Sequence, residues 1–149
     1  MPASRTTPLA PQPVLPAPQR GTDLVQQAIS DTAQPVVLFA LEWCEFSWSV
    51  RRFFKDRGIP FRSVDLDSVV LQQDNLAVDI RKALHIQTGQ PTIPQIFVGG
   101  HHVGGAVDVL SRHDAGELDN LLNSAGVTPT APVTSAQSYL PKWLASRAV

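Results

Sequence analysis

Val36-Val37-Leu38-Phe39-Ala40-Leu41-Glu42-Trp43-Cys44-Glu45-Phe46-Ser47-Trp48 leads the chain from a buried strand, through a short turn, into a helix. Val36 to Leu41 is an unbroken apolar run, as expected of a strand covered on both faces. The segment from Ser47 to Arg57 reads as a helix. It carries Val50, Phe53 and Phe54 at core spacing and ends at Gly58, a good C-cap, and Pro60 prevents continuation. Cys44 is the single cysteine of the chain. At a strand-to-helix turn, backbone N–H groups favour an anion, and the thiolate is the nucleophilic form of a cysteine. Glu45, Ser47 and Ser49 read as too polar for a core site, which marks Cys44 as reactive rather than as packing. With no second cysteine there is no intramolecular disulfide, so a reaction partner must come from another molecule.

Outward from this stretch the elements follow in order. Asp23 is expected to cap a short helix with Leu24, Val25, Ala28 and Ile29 on one face. Phe61 to Leu66 alternates as a second strand. Asn75 to Thr88 reads as a helix with Leu76, Ile80, Ala83, Leu84 and Ile86 inward, closed by Gly89. Pro94 to Val98 is a third strand, Gly99-Gly100 a hairpin turn, and His101-His102-Val103 a short fourth strand. Gly104-Gly105 turns sharply into a last helical region, Ala106 to Leu122, with a break near Gly116. Strands joined through a helix are parallel, and strands joined by two residues are antiparallel. The expected fold is α/β: a mixed four-stranded sheet flanked by helices on both faces.

The 149 residues suffice for one domain with a real core. Residues 1–21 hold six prolines by residue 18 and read as a disordered tail. Residues 22–126 form the domain, and residues 127–149 a Pro/Thr/Ser/Ala-rich C-terminal tail that can dock on it through Tyr139, Leu140, Trp143 and Leu144. A net charge of -1 gives no basic excess for nucleic acid. The apolar runs are too short to span a bilayer, and the early prolines interrupt any secretory signal. A single cysteine fits a reducing compartment, so a cytoplasmic location is expected. His101, His102 and His113 suggest no metal site, because His101 and His102 point to opposite sides of a strand.

Three segments together resemble the glutaredoxins, which have the thioredoxin fold. They are Trp43-Cys44-Glu45-Phe46-Ser47, Thr92-Ile93-Pro94-Gln95-Ile96-Phe97-Val98 and Gly104-Gly105-Ala106-Val107-Asp108, and the likeness covers roughly residues 23–125. The resemblance implies a monothiol form, with Ser47 in the place of the second cysteine and Ala106 where cysteine is frequent. It implies a cis Pro94 beside Cys44, with the backbone of Ile93 exposed to an extended peptide. It implies that Thr92, Ile93, Pro94, Gly105, Ala106, Val107 and Asp108 bind glutathione. There the amides after the glycine pair take a carboxylate, Asp108 lies near the ammonium, and Arg81 meets the glycyl carboxylate. Ser47 is expected to donate a hydrogen bond to the Cys44 sulfur. Two features depart from the family pattern. Leu41 stands where a Lys is common. Glu45 replaces the usual Pro or Gly, and an acid there works against the helix dipole, offset only weakly by Arg51 and Arg52.

The activity implied is glutathione-dependent thiol–disulfide exchange on glutathionylated proteins through Cys44, by a monomer. Two alternatives stand beside it. One is a dimer that carries a [2Fe–2S] cluster on Cys44 and glutathione. The other is a binding module whose groove beside Pro94 docks a partner, with the Trp143 tail in the interface.

Overall fold

The run Val36–Ala40 is buried at all five residues and forms the central strand β1 of the computed structural model, which describes residues 19–142. The elements in chain order are α1 (Gln19–Ile29), β1 (Val36–Ala40), α2 (Glu45–Arg57), β2 (Arg62–Asp65), α3 (Val69–Gln72), α4 (Leu76–Thr88), β3 (Gln95–Val98), β4 (His101–Gly104), α5 (Ala106–Asp114) and α6 (Glu117–Ser124). The sheet order is β2-β1-β3-β4. β1 runs parallel to β2 and antiparallel to β3, and β3 is antiparallel to β4. Loss of either neighbour would expose backbone groups of a strand whose side chains are wholly buried, which is why the apolar run takes the central position.

Alternate residues of β1 feed two cores. Val36, Leu38 and Ala40 pack with Phe53, Phe54, Ile96, Leu110, Leu118 and Leu122 on the α2/α5/α6 face. Val37 and Phe39 pack with Val25, Ile80, Leu84 and Phe97 on the α1/α4 face. Phe39 and Phe97 meet edge to face at 5.8 Å. The mixed four-stranded sheet flanked by helices is therefore the observed architecture.

Several boundaries differ from the sequence reading. α1 begins at Gln19, four residues before Asp23. α2 begins at Glu45 rather than Ser47, so Cys44 is itself the N-cap. A four-residue α3, capped by Ser68, precedes a left-handed kink at Asp74 and Asn75 that the sequence did not signal. Ile86 lies exposed on α4, and Ala77 takes an inward place instead. Helices end at Gly58 and Gly89 as expected, and the last helical region divides at Gly116.

The segment after Gly126 lies across α2 and α5 as a strap. Thr130 and Ala131 donate their N–H groups to the Arg57 carbonyl at 2.9 and 3.0 Å, and the Arg57 Nε donates back to the Ala131 carbonyl at 3.0 Å. The Ala136 N–H donates to Asp114 Oδ1 at 2.8 Å. The Tyr139 ring sits 5.6 Å from Phe53 and under Arg52, with its hydroxyl donated to Asp56. The proline-rich stretch up to residue 18, and Trp143 and Leu144, lie outside the described residues.

Candidate active site

The strand directions gather three loops at one end of the sheet. The C-terminal ends of β1, β2 and β4 and the N-terminal end of β3 all lie there, since Phe39 pairs with Gln95, Ala40 with Asp65 and Ile96 with Gly104. Cys44, Thr92-Ile93-Pro94 and Gly105-Ala106 follow or precede these ends by a few residues. A sheet of this order therefore places the three sequence motifs side by side.

Cys44 has extended backbone angles, φ -132° and ψ 124°, and is half-buried. Its side chain makes no capping hydrogen bond, but the N-terminal end of a helix, with its free first-turn amides, favours negative charge. Ser47 and Ser49 are buried rather than exposed, against the sequence expectation. Each is satisfied by backbone: the Ser47 hydroxyl accepts the Leu41 N–H at 3.2 Å, and the Ser49 hydroxyl donates to the Glu45 carbonyl at 3.0 Å. Among the described residues no hydrogen bond joins Ser47 to the Cys44 sulfur, so Ser47 ties the end of β1 to the first turn of α2.

Asp67 holds the turn before the thiol. Its carboxylate accepts the Glu42 N–H at 2.8 Å and the Trp43 N–H at 3.3 Å. The sequence reading missed it; the signal was an Asp-Ser pair immediately after a strand, a pattern that satisfies free backbone donors. The Trp48 indole N–H donates to the Glu42 carbonyl, and its ring meets Trp43 at 6.3 Å. Trp43 is 81% exposed, so an aromatic surface flanks the sulfur. Arg51 serves the strands. Its guanidinium pairs with Asp65 and donates to the Leu41 carbonyl at 3.3 Å, joining β1 to β2.

The Ile93–Pro94 peptide bond is cis. Pro94 is buried, Ile93 half-buried and Thr92 exposed. Gly105 is the N-cap of α5, and its N–H donates to Asp108 Oδ2 at 2.9 Å. A Cβ on Gly105 would lie 3.5 Å from the Pro94 carbonyl oxygen, so these two loops touch. Ala106 is buried, whereas Val107 and Asp108 are exposed. Asp108 Oδ1 carries no hydrogen bond among the described residues. Arg81 is exposed on α4, and its side chain has no hydrogen bond or ion pair among the described residues. It is not tied to the three loops by any such contact.

A hollow of about 380 Å³ lies beside the first turns of α2, between Glu45, Trp48 and Arg52 and the strap residues Tyr139 and Lys142. A larger one, about 500 Å³, lies at the opposite end of the sheet by the Gly99-Gly100 turn, away from the thiol.

Known proteins share this fold and about a third of the sequence that builds it. The family model described as Glutaredoxin matches residues 36–103. Glutaredoxin-C6 of Oryza sativa subsp. japonica is 32% identical over 101 residues, 68% of this chain and 86% of the relative. The chain belongs to the glutaredoxin family. Glutaredoxins are generally glutathione-dependent oxidoreductases. Monothiol glutaredoxin-S10 of Oryza sativa subsp. japonica is 34% identical over 108 residues, covering 72% of this chain but 62% of that protein. The crystal structure of a buckwheat glutaredoxin–glutathione complex superposes with a TM-score of 0.65 at 30% identity, over 72% of this chain and 92% of that one.

Proposed function

We propose that this glutaredoxin is a thiol transferase that removes glutathione from protein mixed disulfides by a monothiol route through Cys44. The observation that carries the reading is a half-buried thiol at the N-cap of α2, at the end of the sheet shared with the cis Ile93–Pro94 loop and the Gly105 turn. In the first step the Cys44 thiolate attacks the glutathione sulfur. The protein sulfur leaves as thiolate and takes up a proton, and a Cys44–glutathione disulfide forms. In the second step the thiolate of a second glutathione attacks the glutathionyl sulfur, releasing oxidised glutathione and restoring Cys44. No resolving cysteine is required, in keeping with Ser47 in its place.

Glutathione would lie with its cysteinyl backbone along Ile93, its γ-glutamyl carboxylate at the first-turn amides of α5, and its ammonium at the exposed Asp108. Thr92 would line the approach to Ile93. Arg81, unpaired among the described residues, would take the glycyl carboxylate as a guanidinium does best.

Turnover of a glutathionylated peptide with reduced glutathione tests this reading. Wild-type protein is expected to release free peptide, and treatment with oxidised glutathione to add one glutathionyl group to Cys44 that excess reduced glutathione removes. Cys44→Ser is expected to fall to the uncatalysed rate; a variant retaining wild-type turnover would show that the nucleophile is another group.

A further inference from the structure

Strand β3 reads Gln95-Ile96-Phe97-Val98, and all four residues are buried. Gln95 is 1% exposed. It pairs with Phe39 and shares the α1/α4 face of the sheet with Phe97, two residues on. An aliphatic side chain at that position would extend an existing apolar cluster. A buried amide there needs a reason of its own.

The reason lies in the segment before the cis bond. The Gln95 Nε2 donates to the Gln90 carbonyl at 2.7 Å and to the Thr92 carbonyl at 3.0 Å. Both partners are acceptors, so only the amide nitrogen can face them. Residues 90–92 are exposed and lie in no helix or strand, and Pro91 has no N–H to give. Two further bonds tie the start of the segment to the end of α4: the Gln90 N–H donates to the Thr88 hydroxyl at 3.1 Å, and that hydroxyl lies 3.4 Å from the Gln90 carbonyl as a second, longer donor. Gln95 Oε1, in contrast, is buried with no hydrogen-bond partner among the described residues. An unpartnered buried acceptor costs stability. Gln95 therefore serves through its two donors, and both are spent on the loop that enters Ile93-Pro94.

We infer that Gln95 is a positioning residue that holds Thr92 and Ile93 in the geometry receiving glutathione, an inference that rests on the binding mode proposed above. Holding the loop from behind orders it during folding, so less ordering remains when the tripeptide binds.

Gln95→Met keeps side-chain length and removes the donors; Gln95→Glu keeps the shape and turns an acceptor toward the two carbonyls. Steady-state turnover of a glutathionylated peptide is measured beside the rate of Cys44 alkylation by iodoacetamide, which does not use the loop. The expected result is a KM for the peptide raised about fivefold or more, a smaller change in kcat, and an unchanged alkylation rate. A purely structural role would lower the melting temperature and leave KM alone, and a folded Gln95→Met with wild-type KM overturns the inference. Where Gln95→Met does not fold, the KM of Gln95→Glu decides in the same way. A wild-type chain that is alkylated but never turns over the peptide overturns the glutathione reading, and this inference with it. Turnover by wild type with unchanged KM in the variants overturns this inference alone.

Discussion

Gly104 has a φ of +128°, and a Cβ placed on it would lie 2.4 Å from Asp108 Oδ2 and 2.7 Å from the Asp108 Cβ. A side chain there is strained by its own backbone and also collides with the carboxylate that caps α5. Gly105 differs: its φ is -89°, and a Cβ would meet only the Pro94 carbonyl oxygen, at 3.5 Å, and Asp108 Oδ2, at 3.9 Å. Gly104→Ala is therefore expected to cost about 2 kcal/mol or more in denaturant unfolding, with loss of the Gly105–Asp108 bond. Gly105→Ala should keep nearly the wild-type midpoint. Equal losses in the two variants would mean that the turn, and not the Asp108 contact, sets the demand for glycine.

Among the elements, α1 was legible except for its start. Gln19-Arg20-Gly21 is a weak helix start, since glycine gives up the most backbone freedom in a helix, so Asp23 reads as the natural cap. The helix forms earlier because it crosses α4 at Gly21, where a Cβ would lie 2.4 Å from the Asp79 carbonyl oxygen. Next to it, Arg20 pairs with Asp79 and with Asp74 at 2.7 Å. Tertiary contact here overrides propensity, and the two make opposite predictions. Propensity alone has Gly21→Ala stabilising by about 1 kcal/mol. The α1–α4 approach has it destabilising by about 1–3 kcal/mol, and the latter is expected from the urea midpoint. The same contrast explains the rest of the sequence reading. The central strand, α2 and α4 were legible because burial periodicity and glycine caps are local signals. The four-residue α3 and the kink at Asp74 carry no period. Cys44, Pro94 and Gly105 stood out as rare residues at turns, whereas Asp67 and Gln95 act through backbone groups brought to them only by the fold.

Across the whole molecule, acid should act in two stages through groups on different elements. Burial pushes the His102 imidazole below its ordinary value of 6.5; Asp108 opposes this, while His101 and Arg112 add to it. Its Nε2 is buried without a partner among the described residues, and its ring lies 5.1 Å from Phe97. Below about pH 6.5 the unfolded chain binds a proton that the folded chain resists, so stability is full above that pH and declines as pH falls through the window down to the lower folded value. Asp114 behaves as a carboxylate does. Its burial acts to raise the carboxyl, but the Ala136 N–H, His113 and Gln137 together outweigh burial and hold it below 3.8. Its contribution is present above about pH 4 and is lost as pH falls through the folded value, releasing the strap from α5. His102→Phe is expected to flatten the stability curve below about pH 6.5 while leaving the acid limb below pH 4. Asp114→Asn should do the reverse, with lower stability at pH 7 because the Ala136 N–H loses a charged acceptor. Denaturant unfolding of the three proteins at stepped pH checks both, and coincident curves for His102→Phe and wild type would show that the imidazole protonates as readily folded as unfolded.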